Sequence, residues 1–217
     1  MTRFLEENGK LNLSALRTPE ACWAGNILDS LPILDVPEFA DAKTMLDVGT
    51  GGGFPLLPVA MARPDLAVAG LDATQKKIDA IGRIAADLGL ANVRLIGGRA
   101  ETLGHDDTHR EKYDCVTARA VAPLTTLLEI TAPFVRPGGI IVLWKSLHIE
   151  EELAQSLYAR TALSTHLVHS DKYTLPGDWG ERQLLVFAKS AALHKRFPRE
   201  NGLPKNQPLF TKEDRNA

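Results

Sequence analysis

A glycine-rich loop is the segment of this sequence with the clearest capacity to bind a ligand. The residues MLDVGTGGGFP place an acid, Asp47, two positions before Gly49, and further glycines follow at Gly51 and Gly53. Glycine lets a loop approach a ligand closely, and such loops between a strand and a helix bind nucleotides. A phosphate-binding P-loop would continue with Gly-Lys-Ser or Gly-Lys-Thr, and a dinucleotide motif would need its third glycine one residue later. The sequence therefore predicts a nucleotide-like ligand other than these two.

The spacing Asp-x-Gly-x-Gly-x-Gly, from Asp47 to Gly53, resembles the first motif of S-adenosylmethionine-dependent methyltransferases, in which an acid lies just before the glycines. A second acid, Asp72, ends the next predicted strand, 25 residues after Asp47. At the carboxyl end of a strand, such a carboxylate can accept hydrogen bonds from both ribose hydroxyls. Because NAD-dependent enzymes share this feature, Asp72 supports a nucleoside ligand without choosing between the two cofactors.

Three further predicted strands end in residues that would face the same crevice. The third is followed by GRAE, which puts Ala100 and Glu101 where an adenine ring would lie. The fourth leads to Arg119, whose guanidinium can hold the methionine carboxylate of the cofactor or a substrate phosphate through paired, directional hydrogen bonds. The fifth ends at Lys145, which the same geometry predicts to project into the crevice.

The alternation of short apolar runs with longer helix-period segments predicts the elements that hold these residues. Five strands are predicted over Thr44–Val48, Ala67–Leu71, Val93–Ile96, Asp114–Thr117 and Ile140–Trp144. Predicted helices between them include Lys76–Leu88 and Ala122–Phe134. Two more strands, His166–Tyr173 and Gln183–Ala188, are joined by the turn-rich LPGDWGE without room for a helix, so they should pair antiparallel. The predicted fold class is α/β, a Rossmann-like, mostly parallel sheet of seven strands with an antiparallel C-terminal hairpin.

The 217 residues are predicted to form one domain. A helical, partly irregular N-terminal flank (1–35) precedes a cofactor-binding core (40–189), and a basic C-terminal tail (190–217) follows. From Lys189 to Ala217 there are seven cations and three anions, a net charge of +4 in a chain whose total is −2. The acidic total argues against non-specific coating of nucleic acid, so an RNA partner would have to meet a local basic patch.

Cys22 and Cys115 lie far apart, without a CxxC motif or histidines at ligand spacing, so we expect neither a disulfide nor a metal site. The N-terminal segment has charges where a signal peptide would need an apolar run, and no apolar run approaches the ~20 residues that span a bilayer. We therefore expect a cytoplasmic protein that does not bind membranes.

Several segments outside the glycine loop are more particular to one family. They are LNLSAL (11–16), ILDSL (27–31), LDATQKK (71–77), GRAE (98–101), TARAVAPL (117–124) and PRENGLPKNQPL (198–209). With them, the sequence from about Asn12 to Leu209 resembles the bacterial small-subunit ribosomal RNA guanine-N7 methyltransferases, also called glucose-inhibited division protein B. The chain departs from the family pattern at Asn26, where histidine is common, and at Leu56 and Ser146, where glycine is usual.

The resemblance implies that S-adenosylmethionine is the cofactor and that 16S ribosomal RNA, or the small ribosomal subunit, is the partner. The predicted cofactor contacts are Asp47, Gly49, Gly51, Gly53, Phe54, Asp72, Ala73, Thr74, Ala100, Glu101 and Arg119. Arg119 and Lys145 are predicted to orient the substrate, and the ILDSL segment and the basic tail to approach RNA. We expect a monomer without a bound metal.

Guanine N7 already has an in-plane lone pair, so methyl transfer to it needs no base to remove a proton. The sequence contains no obvious catalytic dyad, and we expect catalysis by holding N7 in line with the sulfonium methyl group in a water-poor pocket. Two alternatives stay open. A methyltransferase of the same fold could act on a small molecule or a protein, which suits an acidic chain. The protein could instead be a ribosome-binding module that keeps the cofactor as a structural ligand.

Overall fold

A seven-stranded sheet organises the part of the chain described by the structure, a computed structural model that covers residues 1–119 and 122–210. Its strands are Thr44–Val48 (β1), Ala67–Asp72 (β2), Val93–Gly97 (β3), Tyr113–Arg119 (β4), Val135–Lys145 (β5), Thr165–Thr174 (β6) and Glu181–Lys189 (β7). They lie in the order β3-β2-β1-β4-β5-β7-β6, and β1 to β5 are parallel. β7 is antiparallel to both β5 and β6. The predicted fold class is confirmed.

Helices cover both faces of the sheet. In chain order they are Thr2–Leu11 (α1), Pro19–Cys22 (α2), Leu56–Ala62 (α3), Gln75–Asp87 (α4), Ala100–Leu103 (α5), Leu124–Thr131 (α6), Glu150–Gln155 (α7), Leu157–Ala162 (α8) and Leu203–Asn206 (α9). On one face, Leu56 of α3 and Ile81 of α4 belong to the same core as Met45 of β1. On the other, Leu127 of α6 belongs to a second core with Val116 of β4. Strands covered on both faces are apolar on both, which explains the continuous apolar runs that predict them.

The N-terminal flank continues beyond α2 as irregular helix. The chain forms a π turn over Trp23–Ile27 and 3-10 turns over Leu28–Asp35 and Pro37–Phe39. Pro32 lies inside the longer 3-10 segment and has no N–H to donate, so a regular α-helix is disfavoured there. Ile33 is fully buried in the core that contains α3 and α4, so the flank packs as part of the domain.

Several strands reach further than the apolar pattern predicts. β2 ends at Asp72 and β4 at Arg119, so each of these residues is the last of its strand. β5 begins at Val135, which pairs with Tyr113 before a bulge, although Pro137 and the glycines after it interrupt the apolar run. The extensions bring both Asp72 and Arg119 to the carboxyl edge of the sheet.

Two helical regions also differ from the sequence-based prediction. α6 is shorter than the predicted helix over 122–134 at both ends. Pro123 precedes its first residue, and Pro133, which cannot donate a helical hydrogen bond, lies two residues after its last. α7 and α8 fill the connection from β5 to β6, for which the apolar pattern predicts no element. α7 brings Glu152 to the end of β5, beside Lys145.

The described part of the C-terminal tail, residues 190–210, packs against the core. Leu193, Phe197 and Leu209 are buried in the core on the α6 side of the sheet. Arg199 forms a two-point ion pair with Glu129, a fully buried residue of α6, at 2.8 and 2.7 Å. This segment therefore belongs to the folded domain.

The cations counted in the basic tail are not all at the surface. Lys189 is the last residue of β7, and its buried Nζ donates to Glu111 Oε1 at 2.7 Å and to two backbone carbonyl oxygens at 2.8 Å. Arg199 is neutralised by Glu129. Lys212 and Arg215 lie outside the described residues. The exposed cations of the described tail are Lys195, Arg196 and Lys205. The basic surface in the described tail is thus smaller than the charge count predicts.

Candidate active site

Three cavities adjoin one another at the carboxyl ends of the central strands, beside the point between β1 and β4 where the strand order reverses, which is where open α/β sheets bind ligands. The glycine-loop cavity, of about 370 Å³, is lined by residues that include Asn26, Gly49–Gly52, Phe54, Asp72 and Arg119. The tail cavity, of about 340 Å³, is lined by residues that include Gly49, Asp72–Thr74, Gly98–Glu101, Pro204 and Lys205. The outer cavity, of about 580 Å³, is lined by residues that include Asp29, Arg119, Trp144–His148, Tyr173 and Arg182. The first two share Gly49 and Asp72, and the first and third share Arg119.

The glycine loop between β1 and α3 has backbone conformations that favour glycine. Gly51 and Gly53 have φ angles of +55° and +85°, in the left-handed region. Gly52 allows a close approach, because a Cβ on it would lie 2.8 Å from the carbonyl oxygen of Leu13 in the N-terminal flank. A Cβ on Gly53 would lie 2.8 Å from Leu57 Cδ1, so this residue packs on α3. The loop faces its cavity through Gly49–Gly52.

Asp72 links the glycine loop to the end of β2. Its Oδ2 accepts a hydrogen bond from the backbone N–H of Gly51 at 3.0 Å, and its Oδ1 accepts one from Thr74 at 2.8 Å. Each carboxylate oxygen can accept more than one hydrogen bond, so both keep capacity for a ligand. Because Asp72 lines both the glycine-loop and the tail cavity, a ribose that spans them could donate both hydroxyls to it.

Asp47 lies beneath the loop, and the cavity walls formed by the described residues include neither Asp47 nor Gly53. The hydroxyl of Thr117 donates to Asp47 Oδ1 at 2.9 Å. Within residues 1–119 and 122–210, Asp47 Oδ2 and the hydroxyl of Thr50 have no hydrogen-bond partner. Burial raises the pKa of Asp47 to about 6, against the opposing effect of hydrogen bonds and of Arg119. Because Asp47 lines none of the three cavities, it acts on the glycine loop above it and not directly on a bound ligand.

The N-terminal flank holds Arg119 at the boundary between the glycine-loop and outer cavities. Its Nη1 donates to Asp29 Oδ2 and its Nη2 to Asn26 Oδ1, each at 3.1 Å. The guanidinium carbon lies 5.7 Å from the centre of the Phe54 ring, a cation–π distance. Burial lowers the pKa of Arg119, and the charge of Asp29 is the strongest opposing influence. Any group bound in either cavity can therefore meet the same guanidinium.

Lys145 lies in the wall of the outer cavity and is paired there. Its Nζ is 2.6 Å from Glu152 Oε2 in α7, and its side chain is 11% exposed. The same carboxylate oxygen accepts a hydrogen bond from the N–H of Leu124, the first residue of α6, at 2.9 Å. Glu152 therefore fixes Lys145 against the start of α6, where a negative charge is also favoured by the helix dipole.

The C-terminal tail contributes one wall of the tail cavity. Glu101 Oε1 accepts a hydrogen bond from the N–H of Gly202 at 3.1 Å. The hydroxyl of Thr126 donates to the carbonyl oxygen of Pro204 at 2.8 Å. Other wall residues are Ala73, Thr74, Ala100 and Lys205. These contacts keep α9 of the tail beside α5 and α6, on the side where an adenine ring is predicted.

Comparison with known proteins identifies the family. The GidB family model, described as "rRNA small subunit methyltransferase G", matches residues 1–177. The chain belongs to this family. The "Ribosomal RNA small subunit methyltransferase G" of Deinococcus radiodurans is 42% identical to it over 205 residues, which are 94% of this chain and 81% of the relative. The protein of that name from Oenococcus oeni is 36% identical over 97% of this chain and 87% of the relative. The family predicted from the sequence resemblance is confirmed.

Solved structures provide a comparison of the fold. The antibiotic-resistance methyltransferase Kmr has a TM-score of 0.57 at 20% identity, over 73% of this chain and 92% of that one. A 16S rRNA (adenine(1408)-N(1))-methyltransferase from Catenulisporales acidiphilia also has a TM-score of 0.57, at 16% identity over 74% and 94%. At these identities the likeness shows the fold alone. This GidB-family chain has the class I fold of S-adenosylmethionine-dependent methyltransferases.

Sequence spacing does not reveal the residues that hold Arg119 in this GidB-family protein. Asn26, a departure from the family pattern, is buried and binds both Arg119 and Ser14. Asp29 belongs to the ILDSL segment predicted to approach RNA; it is largely buried but lines the outer cavity, whereas Ser30 is fully buried. The one available signal was the acid within ILDSL, whose partner Arg119 is 90 residues away.

The other two departures from the GidB pattern lie next to the site. Leu56 is fully buried at the start of α3, and its Cδ2 occupies the space beside Gly70 of β2, 2.6 Å from where a Cβ would be. Ser146 lines the outer cavity, and its carbonyl oxygen accepts a hydrogen bond from the side chain of Gln183. Both residues support the walls of the site.

Metal-binding clusters of three or more His, Cys, Asp or Glu side chains are absent from residues 1–119 and 122–210. Cys22 and Cys115 are free and buried. Among the helices in these described ranges, none is long and apolar enough to span a bilayer.

Proposed function

We propose that this chain transfers a methyl group from S-adenosylmethionine to N7 of a guanine in 16S (small-subunit) ribosomal RNA. The observation that supports this most strongly is the position of Arg119, where a cavity suited to a nucleoside cofactor meets a second cavity large enough for a base. Membership of the GidB family and the class I methyltransferase fold agree with this function.

The residues of the glycine-loop and tail cavities fit the cofactor. Asp72 has acceptor capacity for two ribose hydroxyls, and the small Ala73 and Ala100 leave room for adenine beside Thr74 and Glu101. Around the methionine part lie Gly49, Gly51, Phe54 and Arg119, whose charge complements a carboxylate. Asp47 and Gly53 support the loop from beneath. When bound, the cofactor supplies a methyl group on a positively charged sulfur, which makes that methyl electrophilic.

The outer cavity has the groups that an unstacked purine and its phosphates require. Arg182 provides positive charge, and Trp144 and Tyr173 provide aromatic surface. Arg119 and Lys145 provide N–H donors, although each is paired with an acid. Chemistry on a base needs that base out of its stack, and RNA recognition generally selects loops and unpaired nucleotides. The cations of the cavity are suited to O6 or a phosphate, since an arginine that binds O6 and N7 together would cover the reacting atom.

Methyl transfer to N7 requires the protein to orient the acceptor base and to exclude water, because N7 has no proton to remove. The buried cluster around Arg119 leaves that side chain only 15% exposed, so a base in the outer cavity would meet a fixed and largely water-free boundary. The acidic groups at this boundary are already engaged, Asp29 with Arg119 and Glu152 with Lys145. The arrangement therefore favours positioning over general-base catalysis.

Labelled S-adenosylmethionine tests the function. The protein is incubated with small ribosomal subunits, with deproteinised 16S RNA or with a metabolite extract, and products are mapped by mass spectrometry. We expect label in 7-methylguanosine of small-subunit RNA, and its loss in Arg119→Met. Label on a metabolite or a protein would support the first alternative. Binding of cofactor and subunits without turnover would support the ribosome-binding module.

We further propose that the protein acts as a monomer in the cytoplasm. The expected substrate is found there, and the three cavities of one chain already have the groups that a cofactor and a base require. Light scattering with and without cofactor measures the oligomeric state, and a dimer would contradict the monomer.

A further inference from the structure

Asp29 is a buried acid at the boundary of the two cavities, and it contacts three elements. Its Oδ2 accepts from Arg119 Nη1 of β4 at 3.1 Å, and its Oδ1 accepts from the hydroxyl of Tyr173 in β6 at 2.6 Å. Its backbone carbonyl oxygen accepts from Trp144 Nε1 of β5, also at 2.6 Å. The residue is 9% exposed. A 3-10 segment of the flank is thus bonded to three strand ends of the sheet.

The charge of Asp29 offsets the burial of Arg119. A guanidinium out of water is unfavourable unless a paired and hydrogen-bonded anion lies close to it. Asp47, another acid near Arg119, lies beneath the glycine loop. Asp29 is the one carboxylate in ion-pair contact with Arg119 among the described residues.

The geometry also restricts how the guanidinium can turn. Nη1 is bound to Asp29 and Nη2 to Asn26, while the Phe54 ring lies at 5.7 Å from the guanidinium carbon. The hydroxyl of Tyr173 holds the other oxygen of Asp29, so the carboxylate cannot rotate freely to follow Arg119. The plane and position of the guanidinium are thus set by Asp29 and Tyr173 in the wall of the outer cavity and by Asn26 and Phe54 in the wall of the glycine-loop cavity.

We propose that Asp29, locked by the hydroxyl of Tyr173, is the positioning residue that holds Arg119 where the cofactor and the acceptor base meet. Asp29 acts through Arg119 and need not touch either ligand. The inference rests on the proposed function for the identity of the acceptor, but its effect on cofactor binding can be measured without RNA. Its signature is a loss of cofactor affinity and of kcat, with little change in the KM for the RNA substrate.

The experiment compares two aspartates that each bind an arginine and a hydroxyl. Asp29→Asn removes the charge at the cavity boundary, and Tyr173→Phe removes only the phenolic hydroxyl. The matched control is Asp114→Asn, since Asp114 at the opposite edge of the sheet accepts from Arg136 at 2.7 Å and from Thr44 at 3.0 Å. Calorimetry gives the Kd for S-adenosylmethionine, and methylation of small ribosomal subunits gives kcat and KM.

We expect Asp29→Asn to raise the Kd for S-adenosylmethionine and to lower kcat, each by about 10- to 100-fold, because a hydrogen bond to a charged group is lost. Tyr173→Phe should change the same two quantities in the same direction by roughly 3- to 10-fold. In both variants the KM for small ribosomal subunits should change by less than about threefold. The control Asp114→Asn should change the Kd, kcat and KM by less than about twofold each. In an Arg119→Met background, Asp29→Asn should add less than about twofold, because the residue acts through Arg119.

Two results would overturn the inference. One is a folded Asp29→Asn protein with wild-type Kd and kcat, which would leave Asp29 a purely structural role. The other is a full, independent effect of Asp29→Asn in the Arg119→Met background. If Asp29→Asn is too unstable to measure, Tyr173→Phe decides in the same way. If wild-type protein methylates no RNA, the proposed function fails, whereas the Kd comparison still tests the position of Arg119.

Discussion

The N-terminal flank and the C-terminal tail both close the crevice, but they do so with different chemistry. The flank brings polar side chains to the boundary of the glycine-loop and outer cavities, above all Asn26 and Asp29. The tail brings Pro204 and Lys205 to the wall of the tail cavity and is itself held by Glu129. The flank therefore should govern both the cofactor affinity and the reaction step, whereas the tail should govern only how well the cofactor is retained.

The largest effect that separates the two regions is expected from Arg119→Met. The variant removes the group on which the flank converges, so kcat should fall by at least about 100-fold. It also leaves Asp29 buried without its ion-pair partner, which should cost roughly 3 kcal/mol of unfolding free energy. Steady-state kinetics measures kcat, and urea unfolding measures the free energy of unfolding. Retention of kcat within threefold would place Arg119 outside the reaction.

On the tail side, Glu129→Gln should weaken cofactor binding and leave the reaction step unchanged. Glu129 accepts three hydrogen bonds from Arg199, and Gln would present N–H groups to the guanidinium. Breaking this pair should lower the free energy of unfolding by roughly 2–4 kcal/mol. The Kd for S-adenosylmethionine should rise about 10-fold, while kcat at saturating cofactor stays within about twofold. The exposed Glu200→Gln is the control, and an equal loss of kcat would mean that the two regions act alike.

The approach of the flank to the glycine loop can be disturbed by a single methyl group. Gly52→Ala places a Cβ 2.8 Å from the carbonyl oxygen of Leu13, so the backbone of the glycine loop and that of the flank must move apart. Thermal unfolding should show a loss of about 1–3 kcal/mol, together with a lower kcat. Gly9→Ala, in the last turn of α1 with open space around it, should instead add up to about 1 kcal/mol. Equal behaviour of the two variants would show that flank and loop are not in contact.

The smallest effect concerns a histidine that ties the end of the flank region to β6. His169 Nε2 lies 3.0 Å from Glu38, and its Nδ1 lies 3.0 Å from Asp171. The hydrogen bond to Glu38 raises the pKa of His169 above its ordinary 6.5, and the same bond lowers that of Glu38 below 4.5. The stability that His169 contributes to the folded protein is fully present below pH 6.5 and is lost as the pH rises through its raised pKa. That of Glu38 is lost as the pH falls through its lowered pKa.

His169→Gln therefore should lower Tm near pH 6 and leave it unchanged near pH 9, where wild-type His169 is neutral. The partly exposed pair limits the effect to less than about 1 kcal/mol. Scanning calorimetry at both pH values measures the difference in Tm between wild type and variant. A difference that is equal at the two pH values, or larger at pH 9, would contradict the assigned protonation of His169.

The parts of the site that could be predicted from sequence are those that follow directly from a strand end. Asp72 and Arg119 were identifiable because parallel strands deliver their last residues to one edge. The glycine loop was identifiable because its backbone conformations restrict the residue type. In each case the residues next to one another in the sequence were sufficient to predict the site residue.

The residues that hold these groups could not be predicted in the same way. Asp29 and Tyr173 are 144 residues apart and meet only after an irregular helix segment folds over the sheet. The charge count of the tail overstates its basic surface for a related reason, since the count includes Lys189, which a strand end and Glu111 bury. Composition reports how many charges a segment has, whereas tertiary packing decides which of them face water.

The wall formed by Pro204 and Lys205 has a consequence for the order in which the protein matures. The other side of that cavity, at Asp72, is synthesised more than 130 residues earlier, and the adjoining glycine-loop cavity is bounded by Asn26. Contacts of such long sequence separation form late, because a large loop must close before they contribute. A nascent chain whose sheet has already formed would still lack a complete cofactor site until residue 205 has left the ribosome. Translation itself thus delays the enzyme's first turnover until Pro204 and Lys205 have been made and can pack beside Asp72.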